Sequence, residues 1–417
     1  MRIVSLTDSA ARRYLERRRA ADPAAERAAA RIIADVRRRG DRALFAWTKR
    51  LDGVPLTPQT LWISREEMAA ARKEVSRELL RAIEHAARNI RLVAERQLPR
   101  SWSIAVEPGV KVGQRFSPLD TIGCYIPGGR HSLVSTLLMT AVPARVAGVA
   151  RIIVVCPHPN RALLAAADLL GLSEVAHCGG AQAIAAMAYG TKCVPRVDKI
   201  FGPGNCYVMA AKQLVSSDCA IDLPAGPTEV LIVATRGSAR FIAADLIAQA
   251  EHDPDARAVF VTTSRRLARG VQVEVGVQLR WLPSSNPAAR AIARNGCILL
   301  AANLPSAIEF ANRFAAEHVG VPGGERAILK GLRAAGSIFV GPWSAQPIGD
   351  YASGSNHVLP TGGWARVRGG LTVADFLRSS SVQEISRRGF KSLAPVVRSL
   401  AEAEGLAAHA LGVEVRR

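Results

Sequence analysis

The spacing of hydrophobic and polar residues changes near residue 118. In 1–100 apolar residues recur at helical intervals, as in 20–39, and a serine cap followed by acidic residues predicts a helix over Ser64–Gln97. Pro99 is expected to end that helix. The stretch 102–117 has the alternation of an extended chain. We therefore expect an N-terminal helical segment and an extended connection.

From residue 118, short β-branched strands alternate with helices, which is typical of a parallel, doubly wound α/β sheet. The first set of predicted strands is 121–125, 151–157, 175–178, 197–201 and 219–222. A second α/β unit follows, with predicted strands at 229–234, 258–262, 296–301, from 317 and at 336–340. The remainder from about 342 is predicted to be a Gly/Ser-rich loop and two helices, 372–377 and roughly 391–409.

This pattern predicts an α/β fold with two Rossmann-like doubly wound units, an N-terminal helical segment and a C-terminal helical tail. A chain of 417 residues is too long for one ordinary core. The predicted boundaries are 1–117, 118–228, 229–370 and 371–417.

Four predicted strand ends are rich in glycine: 127–129, 179–180, 202–204 and 225–227. Sheets of this class bind ligands at the carboxyl ends of their strands, and glycine lets the backbone approach a phosphate. A nucleotide or phosphate-bearing ligand is one interpretation, and ordinary glycine turns are the other. The chain contains neither a GxGxxG nor a GxxxxGK[ST] motif, so the motifs do not decide between them.

Composition favours a soluble cytoplasmic protein. Apolar residues make up 49% of the chain, yet none of their runs reaches the ~18 residues of a membrane span. The N-terminus Met1–Ser5 lacks the plan of a signal peptide. The seven cysteines occur singly and form no CxxC pair, so we expect buried thiols in a reducing compartment rather than disulfides.

The formal net charge of +20 raises the question of a nucleic-acid partner. About half of the excess lies in the first hundred residues, within helical sequence that also carries Glu16, Asp35 and Asp41. The arginine runs are Arg12-Arg13, Arg17-Arg18-Arg19 and Arg37-Arg38-Arg39. Without an aromatic platform, zinc-finger spacing or a long basic tail, a solvated helix surface is the favoured interpretation, with no nucleic-acid or membrane partner.

Gln249 and His252 lie three residues apart at the end of a predicted helix that Pro254 terminates. An amide oxygen and an imidazole nitrogen can both ligate a divalent metal, although a solvated helix end carries the same residues more often. Asp350 and His357 lie in a glycine-lined loop, where an aspartate can ligate a metal or cap a turn.

Glu317 and His318 begin a predicted strand, so we expect their side chains to point to opposite sides and to flank a substrate. Both groups suit acid–base chemistry near neutral pH. A surface pair at the end of an element is the alternative. His409 lies near the C-terminus. The remaining histidines are expected to be structural: His85, His131, His158 and His177.

Together these runs resemble the histidinol dehydrogenase family over almost the whole chain and in the family's order. The matching runs are Tyr125–Gly129, Gly179–Ile184, Asp198–Asn205, Ala225–Glu229, Gln249–His252, Glu317-His318, Gly349–Tyr351, Asn356–Thr361 and Glu402–Leu406 with His409.

The resemblance implies a zinc enzyme that oxidises L-histidinol to L-histidine through the aldehyde, in two NAD-dependent steps. It implies one zinc per site in an obligate homodimer, with the last of four ligands donated by the partner subunit. The ligand positions are Gln249, His252, Asp350 and His409.

The resemblance also assigns the chemistry to Glu317 and His318. His318 would take the alcohol proton, and Glu317 would activate the water that attacks the aldehyde. The implied NAD contacts are Tyr125, Gln182 and Asn205. The implied substrate contacts are Thr228, Gln249, His252, His318, Asp350, His357, Glu404 and His409.

Small departures from the family pattern leave a paralogue open. Thr228 stands where serine is usual, Val319-Gly320 replaces a usual Leu-Glu, and Ser355 stands where many members have proline. A relative that oxidises another polar primary alcohol, such as a sulfonated diol, is the alternative within this class, and a basic nucleic-acid-binding protein is the alternative outside it. The match at Glu404 and His409 favours histidinol.

Overall fold

The structure is a computed structural model that describes residues 1–7, 9–10, 14–15, 22–128, 132–223 and 226–416. Some positions named above lie outside the described residues: Arg12, Arg13, Glu16, Arg17, Arg18, Arg19, Ala20, Gly129, His131 and Ala225. Within these ranges no helix is both long and apolar enough to cross a membrane.

Fifteen strands and sixteen α-helices occur in the described ranges. The strands are β1 (Arg2–Ser5), β2 (Trp62–Ile63), β3 (Trp102–Glu107), β4 (Val110–Pro118), β5 (Thr121–Tyr125), β6 (Arg151–Val155), β7 (Val175–Ala176), β8 (Lys199–Phe201), β9 (Ala220–Ile221), β10 (Glu229–Val233), β11 (Arg257–Thr262), β12 (Cys297–Leu300), β13 (His318–Val321), β14 (Ser337–Val340) and β15 (Leu377–Ile385). The helices are α1 (Pro23–Arg39), α2 (Asp41–Asp52), α3 (Arg65–Glu74), α4 (Arg77–Gln97), α5 (Val134–Ala147), α6 (Arg161–Leu169), α7 (Gly180–Tyr189), α8 (Cys206–Val215), α9 (Ala239–Ala250), α10 (Arg265–Leu279), α11 (Ala288–Asn295), α12 (Leu304–Phe314), α13 (Arg326–Gly331), α14 (Gln346–Tyr351), α15 (Arg387–Ala403) and α16 (Ala407–Glu414).

The first large sheet has the order β2-β7-β6-β5-β8-β9 and is parallel except for β2. Its central strands are apolar and buried, because helices cover both faces. All five strands predicted between residues 118 and 228 are present. The predicted α/β class is therefore confirmed in this half of the chain.

The second large sheet has the order β1-β12-β11-β10-β13-β14, and every pair is parallel. All five strands predicted after residue 228 are present. The prediction of helix over 1–100 was wrong at its start, because Arg2–Ser5 is the edge strand β1 and pairs with Cys297–Leu300. Its partner lies far away in sequence, so local spacing could not reveal the pairing.

A third, antiparallel sheet has the order β15-β4-β3. The stretch 102–117 is therefore a hairpin rather than a plain connection, and β15 was not predicted. The expected helix at 372–377 is a 3-10 turn over Val373–Phe376. The expected helix at 391–409 is two helices, α15 and α16, because Gly405 takes a positive φ of 71° between them.

The segment 222–228 joins β9, in the first sheet, to β10, in the second. It leaves the carboxyl end of one strand and enters the amino end of the next. The carboxyl edge of the first sheet therefore lies next to the amino edge of the second. We predicted ligand binding at carboxyl ends, whereas Thr228, Glu317 and His318 lie where strands of the second sheet begin.

The arginine-rich surface of α1 is partly as expected. The last turn of α1 contains Arg37, Arg38 and Arg39. Positive side chains are stabilised there by the partial negative charge at the C-terminus of the helix. The side chain of Arg38 is 78% exposed. Arg39 binds Asp35, while Arg37 lies over the ring of Tyr189, so the run is only in part a solvated surface.

The cysteines also match the expectation in large part. All seven are free. Five are buried and Cys193 is half-buried, whereas Cys206 is exposed in the first turn of α8. The prediction of isolated, mostly buried thiols without disulfides is confirmed, with Cys206 as the exposed exception.

Candidate active site

Glu317 is the buried carboxylate at the centre of the site. Its Oε2 accepts hydrogen bonds from Thr228 Oγ1 at 2.5 Å and from the Glu229 backbone nitrogen at 2.9 Å. Thr228 Oγ1 in turn accepts from Gln249 Nε2 on the last turn of α9. One hydroxyl therefore joins the candidate base to a candidate metal ligand.

His318 lies between two carboxylates. Its Nε2 is 3.2 Å from Asp350 Oδ1, and its Nδ1 is 3.7 Å from Glu317 Oε2. The expectation that Glu317 and His318 point to opposite sides was wrong, because β13 begins only at His318 and Glu317 precedes the pleat. The His318 ring stacks on Phe339 of the neighbouring strand, which fixes its plane.

Asp350 is held by a short helix that sequence reasoning assigned to a loop. Gln346 and Asp350 lie four residues apart on α14, and Gln346 Nε2 donates to Asp350 Oδ2. Asp245 of α9 accepts a hydrogen bond from the Gln346 backbone nitrogen. We missed Gln346 and Asp245. The four-residue spacing of Gln346 and Asp350, with a proline at the start of the helix, could have predicted both the short helix and their contact.

The carboxylates and imidazole tune one another. Burial raises the pKa of Glu317 to about 7, since the charged form loses its hydration. Burial alone would lower the pKa of His318, but Glu317 and Asp350 outweigh it and raise that pKa. Burial alone would raise the pKa of Asp350, but His318, His357 and His252 outweigh it and lower that pKa.

Three of the four candidate metal ligands lie on or just after two helices that pack on each other, Gln249 and His252 at the end of α9 and Asp350 on α14. Gln249 is buried, and its Oε1 has no hydrogen-bond partner among the described residues. His252 is exposed just beyond the helix and acts electrostatically on Asp350. An amide oxygen, an imidazole and a carboxylate suit zinc, so the residues present fit that metal. Over the described parts of the chain, no three His, Cys, Asp or Glu side chains form a complete site.

The tail residues do not join this group within one chain. Glu404 and His409 are both exposed, at the end of α15 and in α16. These two helices pack on each other, and α15 also packs on β15.

His357 is already engaged by protein groups. Its Nδ1 is 2.9 Å from the Asp350 carbonyl oxygen, and its Nε2 is 3.2 Å from Thr136 Oγ1 on α5. Burial lowers its pKa, which favours the neutral ring. In this structure His357 fixes the turn after α14 and presents no free nitrogen.

The three candidate NAD residues differ in exposure. Tyr125 and Gln182 are buried, and each holds a neighbouring element: Tyr125 Oη accepts from Gly180 N at 3.2 Å, and Gln182 Nε2 donates to Asp52 at 3.0 Å. Only Asn205 is exposed, where it caps α8 through Val208 N. Their contact with NAD stays a prediction.

The other histidines divide as follows. His158 and His177 lie with their rings 6.2 Å apart near the carboxyl edge of the first sheet. His85 Nδ1 is 3.1 Å from Arg88 Nη2 on α4, away from the site.

Comparison with known proteins gives a consistent result. A sequence model of the family described as histidinol dehydrogenase matches residues 15–417. The histidinol dehydrogenase of Methanosarcina mazei is 46% identical over 395 residues, which cover 92% of this chain and 90% of that protein. The enzyme of the same name from Aquifex aeolicus is 45% identical, over 94% of this chain and 92% of that protein.

A solved structure agrees with the sequence comparisons. The crystal structure of histidinol dehydrogenase from Elizabethkingia anophelis superposes with a TM-score of 0.93 at 35% identity, over 100% of this chain and 98% of that chain. Sequence and structure both match along nearly their full length. The chain therefore belongs to the histidinol dehydrogenase family, whose members are NAD-dependent oxidoreductases.

Proposed function

We propose that this chain oxidises L-histidinol to L-histidine through L-histidinal, with two NAD⁺ reduced and zinc required, as the last step of histidine biosynthesis. The observation that carries the proposal is the buried group formed by Thr228, Glu317, His318 and Asp350 beside Gln249. It combines a base, an activated carboxylate and metal donors at one edge of a sheet.

The first oxidation needs a base for the alcohol proton. His318 Nδ1 is buried and has no hydrogen-bond partner in the described residues, while Nε2 faces Asp350. With the Nε2 proton donated to Asp350, Nδ1 carries a lone pair and can accept the proton of the substrate hydroxyl. NAD⁺ would accept the hydride from the substrate carbon in each of the two steps.

The second oxidation needs a water activated for attack on the aldehyde. A carboxylate with a pKa of about 7 is well suited as a general base near neutral pH. The hydrogen bonds from Thr228 and Glu229 go to Oε2, which leaves Oε1 of Glu317 for the water proton.

The metal would be held by Gln249, His252 and Asp350 with His409 from a partner subunit. Zinc bound there would anchor the imidazole and the amine of the substrate, so its contribution is mainly to position the reacting carbon. Such anchoring would retain the aldehyde between the two steps. In this scheme His252, Asp350 and Glu404 also contact the substrate, and Thr228 lies beside it.

A homodimer is part of the proposal. The helices α15 and α16 expose large apolar side chains, including Leu400 and Leu411, each 60% exposed. Apolar surface of this kind is commonly covered by a second chain. We propose that the helices α15 and α16 within 371–417 dock on a partner, that 118–228 is the NAD-binding domain and that 229–370 is the zinc and catalytic domain.

The test is NADH formation by purified protein with L-histidinol, with and without prior zinc chelation. Two NADH per histidinol, lost on chelation and restored by zinc, are expected. The variant E317Q should stop after one NADH per histidinol, because it lacks the carboxylate that activates the water. Zinc-loaded protein could instead yield no NADH with histidinol but yield NADH with a sulfonated alcohol or another amino alcohol. That alcohol would then replace histidinol as the proposed substrate.

A further inference from the structure

The strongest feature outside the catalytic group is a completely buried ion pair in the first sheet. Lys212 of α8 and Asp222, just after β9, bind each other, and both side chains are 1% exposed. Neither residue reaches the catalytic carboxylates. The pair lies beside the turn 202–205, at the carboxyl edge of this sheet.

The pair holds a single residue, Gly202, from both sides. The Gly202 backbone nitrogen donates to Asp222 Oδ2 at 2.7 Å, and Lys212 Nζ donates to the Gly202 carbonyl oxygen at 2.8 Å. Gly202 has a φ of +109°, and a side chain there would overlap the Tyr125 carbonyl oxygen. The strand β8 ends at Phe201, so the strand's own hydrogen bonds do not extend to Gly202. The side chains of Lys212 and Asp222 bond the N–H and the carbonyl of Gly202, which would otherwise be buried and unpaired.

The same two residues join three elements around that turn. Lys212 fixes the rotation of α8, whose N-cap is Asn205, and Asp222 also accepts from its neighbour Leu223 N at 2.6 Å. Arg368, eleven residues after His357, donates to the Asp222 carbonyl oxygen at 2.6 Å. The turn, the helix and the end of β9 are thus locked to one another.

A buried ion pair contributes little to stability compared with apolar residues of similar volume, because removing both charges from water is costly. Its directional hydrogen bonds nevertheless impose one geometry on the backbone. The held turn follows β8 at the carboxyl edge of the first sheet, where sheets of this class bind ligands. The first backbone N–H groups of α8 point into this region and lack carbonyl partners within the helix.

We propose that Lys212 and Asp222 are positioning residues for the nicotinamide cofactor: by holding Gly202 they preset the turn that presents Asn205 and the start of α8. This inference rests on the proposed NAD-dependent function. Binding then requires no ordering of the turn, which favours affinity for the cofactor. The side chains of Lys212 and Asp222 bond to Gly202, Leu223 and each other, and to no residue of the catalytic group.

The decisive variant is K212M/D222N, which removes both charges and leaves neither one buried alone. We expect the KM for NAD⁺ and the dissociation constant for NADH to rise roughly ten- to hundredfold, while the KM for L-histidinol changes less than about twofold. The matched control is R151Q/E174Q, which removes an ion pair at the opposite end of β6 and should change neither constant. Unchanged cofactor constants in a folded K212M/D222N protein would overturn the proposal.

Titration with NADH separates this inference from the proposed function. Wild-type protein that binds NADH but does not oxidise histidinol would reject only the substrate, and the variant would still test the pair. Wild-type protein that binds no NADH would overturn both proposals. If the variant does not fold, hydrogen exchange is measured on the wild-type protein without cofactor. We expect the Gly202 amide to be protected. Free exchange of that amide would refute the proposal that the turn is already ordered before the cofactor binds.

Discussion

The hydroxyl of Thr228 donates a 2.5 Å hydrogen bond to the carboxylate of Glu317, a residue 89 positions later in the chain. The same oxygen accepts from Gln249. The contact joins the residue before β10 to the residue before β13, which are neighbouring strands. Because each group holds the next, a change at the hydroxyl alters both the candidate base and a candidate metal ligand.

Replacing Thr228 by valine removes this link and keeps the side-chain shape. The ionised Glu317 loses a hydrogen bond, so its pKa should rise beyond its present value of about 7. We expect T228V to lower kcat/KM by roughly ten- to a hundredfold and to shift the pH profile of aldehyde oxidation towards alkaline pH. T228S keeps the hydroxyl and serves as the control. A T228V profile that superposes on that of the wild type would contradict the link.

The raised pKa of Glu317 predicts the pH dependence of the second step. Oxidation of L-histidinal needs the carboxylate, so its rate should increase as pH rises through about 7. E317Q should abolish this step and leave the first oxidation measurable. Separate assays with histidinol and histidinal would check this. An E317Q enzyme that still converts histidinal at the wild-type rate would remove Glu317 from the mechanism.

The same burial predicts a stability effect. The folded-state pKa is above the unfolded value, so folding favours protonated Glu317. That contribution is full below about pH 4.5 and is lost as pH rises through about 7. E317Q mimics the protonated form and should stabilise the protein by roughly 1–3 kcal/mol at pH 8 but not at pH 4. Denaturant unfolding at both pH values measures it, and a destabilised variant at pH 8 would contradict this reasoning.

Donation of His409 across a subunit interface can be tested by mixing two inactive variants. H252N lacks a ligand within the site, and H409N lacks the ligand given to the partner. In a mixed dimer one site then has both histidines, so random reassembly should restore about a quarter of wild-type activity. Activity that stays at the level of the separate variants would show that both histidines act in the same chain.

Gln346 is expected to act through Asp350. The Gln346 amide donates a hydrogen bond to the Asp350 carboxylate. Hydrogen bonds from a neighbouring side chain to a metal ligand fix the orientation of that ligand. Q346L should weaken zinc affinity about ten- to a hundredfold, measured by competition with a chelator. Q272L, which changes a glutamine on the surface of α10, should not. Equal zinc affinity in the two variants would exclude the role.

Local spacing identified the two parallel sheets well. The alternation of short apolar strands with helices predicted every strand from Thr121–Tyr125 to Ser337–Val340, because most of them are apolar and buried, as in β5, β6, β10 and β11. The family resemblance, confirmed by the comparisons, also depended on short runs such as Glu317-His318. Missed elements, including β1 and β15, are those whose partners lie far away in sequence.

The sequence by itself determined the fold class, the family and the candidate residues, since these depend on periodicity and on local motifs. Only the tertiary structure decided which groups meet. Thr228, Glu317 and Asp350 come together because the segment 222–228 connects opposite edges of two sheets and the short α14 packs on α9. The buried pair of Lys212 and Asp222 depends likewise on packing, which brings together charges that lie ten residues apart on different elements.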